Sequence, residues 1–248
     1  MRTYWDLENL GRVQLSKSFF MRDFLHSEIA AFHCLRNAPV DPELAIYTGR
    51  RLCEQILEPL QETFGRLHIR SGYRSPDLNR FGNERRLNCA SNRNTAADHI
   101  WDLRDADGNA GACCTVVIPW FLNQRRPQEW PSLARWMDEH LEYDRLTFFA
   151  YQTAFNASWR ENPRREIRSY IAPLGRLKRG PGWGEHPSDH KDSFPPFRGA
   201  LTPLDAMPWP PANALQRVAK LRDASDPMVR REPAPKSQVS AGTQGRLL

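Results

Sequence analysis

The chain has 248 residues, 40% of them apolar and 26% charged, with eight Trp and twelve Phe. That is enough hydrophobic side chain for a sizeable core, and it excludes a wholly disordered protein. No run approaches the ~18–20 apolar residues that a membrane-crossing helix needs. The polar stretch from Met1 to Leu10 lacks the basic start and apolar run of a secretion signal. The expected location is the cytoplasm, or outside it after release without a classical signal peptide. In chain order, a helix is predicted to begin near Ser27, whose hydroxyl caps Glu28-Ile29-Ala30-Ala31-Phe32. Asn37-Ala38-Pro39-Val40 breaks it. Asp41-Pro42 then supplies a new cap with proline at the first helical position, where its missing donor costs nothing. Leu52, Ile56 and Leu60 continue as one apolar stripe beside Cys53, Leu57 and Phe64, and Pro59 is expected to kink or shorten this helix.

Leu67 to Ser71 alternates and reads as a strand, whereas Gly72 to Asn94 is turn-rich and charged and reads as a long surface loop. The β-branched run Thr115 to Ile118 predicts a buried strand, Pro131 to Leu141 a helix, and Leu146 to Phe149 and Ile167 to Ile171 two further strands. Helices first and strands after, with no βαβ rhythm, predict an α+β domain over residues 1–173 with a small antiparallel sheet and N-terminal helices. The formal charge of +6 is unevenly placed: residues 1–173 hold 23 Lys+Arg against 22 Asp+Glu, and residues 174–248 hold 12 against 7. Those last residues also contain 11 of the 20 prolines. They are expected to form a Pro-rich basic tail, largely irregular or disordered, with one short helix over Ala212 to Leu221. The core domain is therefore not expected to bind nucleic acid or a membrane. The tail has the charge to touch nucleic acid or an acidic wall polymer, and serves equally as a solubilising end; its protein partner, if it has one, is unknown.

Five cysteines, an odd number without CxxC spacing, predict reduced and mostly buried thiols. Arg70, Arg74 and Arg80 surround Gly72-Tyr73 where the first strand ends, and guanidinium forks hold carboxylates or phosphates in bidentate fashion. Solvated arginines are the plainer reading. Asp98, His99, Asp102, Asp105 and Asp107 place ligand-type atoms at short range. His99 and Asp102, three apart, would share a helical face suited to zinc or a harder ion. The same string also reads as an ordinary Asp-rich turn ending in Gly108-Asn109. No GxSxG, P-loop, HExxH or GxGxxG occurs.

The string Ser71-Gly72-Tyr73-Arg74-Ser75-Pro76-Asp77-Leu78-Asn79 resembles the M15 family of peptidases, the zinc D-alanyl-D-alanine carboxypeptidase and endolysin group, and within it the small single-domain type. Phe20 to Ser27, Asn37-x-Pro39 and Ile56-Leu57-Glu58-Pro59-Leu60 extend the likeness, which runs to about Ile171, roughly two thirds of the chain. The resemblance implies a hedgehog/DD-peptidase-like fold that cuts peptidoglycan stem peptides with one zinc ion. His, Asp and His hold that ion, and a Glu on a later strand is the general base. It places Arg74 near the substrate's carboxylate or backbone, with Tyr73 and Asn79 supporting that loop. It places Asp102 at the metal Asp with His99 beside it. Thr95 and Asn156 stand at the two histidine positions, and Phe149 at the glutamate. A hydroxyl and a carboxamide are poor zinc ligands beside imidazole, and a phenyl ring accepts no proton. The expectation is a divergent peptidoglycan peptidase-like protein with a degraded zinc site, binding a cell-wall peptide without standard hydrolysis. One alternative is an active zinc metallopeptidase with rearranged ligands, in which His99 takes the first ligand role or His186, Glu185 or His190 completes a different site with Asp102 and His99. The other is a phage- or prophage-related structural or assembly module that uses the tail.

Overall fold

The structure, a computed structural model, describes residues 3–124, 129–172 and 174–176. The expected tail beyond residue 176 lies outside the described residues, and with it the helix expected over Ala212 to Leu221 and the candidate ligands Glu185, His186 and His190.

Local capping chemistry sets the helices of the first half. In α1 (Tyr4–Gly11) the Thr3 hydroxyl accepts the Asp6 amide while the Asp6 carboxylate accepts the Thr3 amide, a reciprocal box that sequence reading did not find. After α2 (Arg22–Leu25), α3 (Glu28–His33) starts where expected, the Ser27 hydroxyl accepting the Ala30 amide. The Asp41 carboxylate accepts the Leu44 amide at the start of α4 (Pro42–Leu52). The effect expected of Pro59 takes a specific form. A π-helical turn, Cys53–Leu57, precedes α5 (Glu58–Phe64), and its wider ladder accommodates a proline that can neither donate nor fit a regular α turn.

The stretch expected to be a long surface loop is a correction. It contains α6 (Pro76–Glu84) and the single turn α7 (Asn92–Thr95). Ser75 caps α6 by accepting the Leu78 amide, and Pro76 occupies the first turn, so Ser75-Pro76 repeats the signal carried by Asp41-Pro42.

Six strands form one mixed sheet: β1 (His68–Ser71), β2 (Gly111–Val117), β3 (Arg145–Phe148), β4 (Phe155–Arg160), β5 (Glu166–Ser169) and β6 (Gly175–Arg176). Their order is β1-β2-β4-β3-β5-β6, antiparallel throughout except between β3 and β5, so the chain is α+β with a mostly antiparallel sheet. Two helices, α8 (Pro119–Gln124) and α9 (Trp130–His140), lie between β2 and β3. Strand β2 starts four residues earlier than its β-branched run, because Gly111 to Cys114 extends the ladder with small side chains.

Registers of Cys113 opposite Ser158, Thr115 opposite Asn156 and Arg145 opposite Ser158 define two unlike faces. On one, Ala112, Cys114, Val116, Leu146, Phe148, Phe155 and Ala157 join Leu52, Ile56, Leu60, Trp130 and Leu133 in the core. The other carries Cys113, Thr115, Arg145, Thr147, Asn156, Ser158 and Arg160. Part of this polar face is met by the segment between α7 and β2. Gly111 permits its approach, since a Cβ there would lie 2.5 Å from the Ala97 carbonyl oxygen.

Candidate functional site

The site begins where β1 ends. A Cβ on Gly72 would lie 2.7–2.8 Å from Phe24 atoms, so glycine lets two backbones pass in contact. The Tyr73 amide donates to the Phe24 carbonyl at 2.9 Å, and the Arg74 amide to the His99 carbonyl at 2.8 Å. The Gly72 carbonyl oxygen lies 2.9 Å from His99 Nδ1. A carbonyl only accepts, so Nδ1 carries the proton and Nε2 keeps its lone pair. That lone pair faces Asn156 Nδ2 at 3.4 Å and Cys113 Sγ at 3.9 Å. Burial lowers the His99 pKa; the Asp98 charge opposes this, and the Arg74 and Arg145 charges add to it. His99 is therefore a neutral, oriented imidazole.

Asp98 stands beside it with a side chain only 8% exposed. Its Oδ2 pairs with the Arg145 guanidinium, while Oδ1 is buried without a hydrogen-bond partner. Cys113 is fully buried in the middle of β2, and burial, followed by the Asp98 charge, pushes its thiol well above the ordinary range. Protonated and sealed, it is no nucleophile as it stands. One ligand atom from each of Asp98, His99 and Cys113 lies within 4.8 Å of the others, and no further group of three such residues is brought together among the described residues. Oxygen, nitrogen and sulfur donors thus converge on the polar face.

The residues singled out from the sequence fall in several places. Asp102 stands outside this cluster, and its expected pairing with His99 does not form. Its Oδ2 accepts the Val40 and Asp41 amides at 2.6 and 3.3 Å, and its Oδ1 the Tyr73 hydroxyl at 3.1 Å, so it fastens the loop ahead of α4. The Thr95 hydroxyl donates to the Ser91 carbonyl at 2.8 Å. Phe149 follows β3 and stacks on Tyr170, ring centroids 5.6 Å apart. Of the four positions that the M15 resemblance marks, Asn156 alone reaches His99, and its Oδ1 accepts the Thr115 hydroxyl at 2.7 Å. The set Thr95, Asp102 and Asn156 does not fit a zinc ion, because a hydroxyl and a carboxamide are weak ligands and all three side chains are engaged with other groups.

Tyr73 is buried with its hydroxyl on Asp102. Asn79 is buried too; its Oδ1 accepts Arg74, and its Nδ2 donates to the Ala90 carbonyl at 2.9 Å and to Asn92 Oδ1 at 2.8 Å. Both side chains shape the loop rather than face an open space. Arg74 is half-buried. Its Nη1 donates to Asn79 Oδ1 at 2.9 Å and to Cys89 Sγ at 3.2 Å, and it forms no ion pair among the described residues. Arg70 lies over the Tyr151 ring and Arg80 pairs with Asp77, so the three arginines do not act together. Asp105 pairs with Arg160 and closes the turn to Asn109, while Asp107 is exposed.

Asp98, His99 and Cys113 form the cluster and Arg145 braces it; sequence reading named Asp98 only within the Asp-rich string and assigned Cys113 and Arg145 no role in it. For Cys113 the signal was alternation: Cys113 and Thr115 share a parity on β2, as Asn156, Ser158 and Arg160 do on β4. All five cysteines are free, and only Cys34 is exposed. No described helix is long and apolar enough to cross a membrane. No protein-family model, curated protein or solved structure matches the chain.

Proposed function

We propose that the chain is a divergent peptidoglycan peptidase-like protein that binds the carboxylate end of a cell-wall stem peptide without hydrolysing it. The observation that carries this reading is Arg74, a half-buried guanidinium without a carboxylate partner among the described residues and fixed through Nη1 by buried Asn79. Its Nε and Nη2 remain for an incoming carboxylate, the geometry in which arginine binds most strongly. Tyr73 and Asn79 act as positioning residues: one anchors the loop to Asp102, the other fixes the guanidinium. Loss of hydrolysis rests on chemistry. Phe149 offers no base, and the oxygen atoms of Asp102 are occupied by Val40, Asp41 and Tyr73.

Titration calorimetry with a peptide ending in D-alanyl-D-alanine tests the reading. Arg74→Ala is expected to weaken binding at least tenfold, about 1.4 kcal/mol, while Arg80→Ala, whose partner is exposed Asp77, leaves the Kd unchanged. An unchanged Kd in Arg74→Ala contradicts the proposal.

A further inference from the structure

We propose that Asp98, His99 and Cys113 bind one divalent ion of zinc-like character, pinning the segment between α7 and β2 to the polar face of the sheet. This donor set differs from Thr95, Asp102 and Asn156, and it does not depend on the peptide-binding reading.

Three observations support it independently. The first is geometry. A tetrahedral zinc ion with Zn–S near 2.3 Å and Zn–N near 2.0–2.1 Å needs its sulfur and nitrogen donors roughly 3.6 Å apart. His99 Nε2 and Cys113 Sγ are 3.9 Å apart and all three donors lie within 4.8 Å of one another, so side-chain rotations that draw them together seat the ion. The second is orientation. The Gly72 carbonyl holds the Nδ1 proton and turns the Nε2 lone pair inward, the outer-shell arrangement that ligating histidines use, and the ion would displace the long 3.4 Å contact from Asn156 Nδ2. The third is the orphaned oxygen. Asp98 Oδ1 is buried with no nitrogen or oxygen donor on it among the described residues, and the Cys113 thiol, a weak donor, is the hydrogen-bonding group set against this carboxylate. An unmet carboxylate oxygen away from water is costly. Arg145 holds the other oxygen and orients the carboxylate as a second outer-shell partner.

The donors select the ion. A thiolate, an imidazole and a carboxylate suit zinc or cobalt(II), while magnesium and calcium prefer all-oxygen shells. On binding, the Cys113 S–H bond breaks, the proton leaves to solvent, and the sulfur lone pair forms the metal bond. No electron is transferred. Thiolate and carboxylate then offset the two positive charges of the ion, with the Arg145 guanidinium as the remaining positive charge beside the site, so the thiolate is stabilised there where a free one is not. Cys114, the next residue, lies in the apolar core on the opposite face and takes no part.

The test uses the full chain, dialysed metal-free and then loaded with cobalt(II) or zinc. Expected are one cobalt ion per chain and a thiolate-to-cobalt charge-transfer absorption, lost in Cys113→Ser and kept in Cys114→Ser. Zinc should raise the Tm of the natural chain and leave that of Cys113→Ser unmoved. Asp98→Asn and His99→Gln, which keep the thiol, should each weaken cobalt binding tenfold or more; they carry the test if Cys113→Ser fails to fold. A chain that retains no cobalt overturns the proposal, as does a charge-transfer band that survives in folded Cys113→Ser or undiminished affinity in both other variants. Peptide binding by the metal-free chain is measured separately, so either reading can fail alone.

Discussion

Cys113 and Cys114 are adjacent in sequence and opposite in circumstance. Cys114 projects into the apolar core with Val116 and Ala112, where its thiol is one small hydrophobe among many, its pKa raised by burial alone. Cys113 projects onto the polar face beside Asp98 and His99, where burial is joined by the Asp98 charge. The same strands therefore build two environments, and the two-residue period of the pleat assigns each side chain to one of them. The apolar face depends on volume and packing. The polar face depends on buried charges having hydrogen-bond partners, and Asp98 Oδ1 is one of the places among the described residues where that condition is unmet, with Glu166 Oε1 and Arg168 Nε on β5.

The largest effect is expected where the polar face ends. Asp144 is fully buried and accepts Arg164 Nε at 2.8 Å and Arg160 Nε at 3.2 Å. Asp144→Asn removes a fully buried charge, leaving half-exposed Arg164 without its carboxylate and Arg160 with Asp105 alone, and should cost about 3–5 kcal/mol in denaturant unfolding. The same pair sets a pH dependence. Burial works to raise the Asp144 pKa, but the Arg164 hydrogen bonds and the Arg160 charge outweigh it and leave the group below its usual range. A depressed carboxyl stabilises the fold fully above its unfolded pKa of about 3.9, and that contribution falls as pH drops further. Unfolding free energy should therefore decline below about pH 4 in the natural chain and decline less in Asp144→Asn. On the apolar face Leu146, fully buried, gives the next effect: Leu146→Ala should cost about 2–5 kcal/mol at any pH in this range. Equal pH profiles for the two variants would erase the contrast between the faces. The smallest effect sharpens it. Thr115→Val removes the hydroxyl that donates to Asn156 Oδ1 and should cost about 1 kcal/mol by thermal unfolding.

Much of this fold was legible because local chemistry decided it. Ser27 and Asp41 announce their helices by caps, and Pro59 announces an irregular turn. The same rule applied to Ser75-Pro76 would have found α6, but the surrounding charges read as loop. Strand β4 was harder. Its sequence Phe-Asn-Ala-Ser-Trp-Arg mixes apolar and polar residues because it runs through the sheet between two such faces. The site was legible only as a neighbourhood. His99 was found, but its partner was assigned as Asp102, three residues on, which presumes a helix there. The chain instead turns, and sends Asp102 to the Val40 and Asp41 amides and Asp98 to the sheet. Cys113 is distant in sequence and meets His99 only through strand pairing, which spacing alone does not reveal.

The central claim is recognition of a peptide carboxylate without cleavage. Its most direct measurement is mass spectrometry of a stem peptide ending in D-alanyl-D-alanine, held with the zinc-supplemented chain at a concentration where calorimetry shows it bound. The account predicts that the peptide is recovered intact. Time-dependent release of the terminal D-alanine, abolished by chelation, would contradict it and establish a hydrolase.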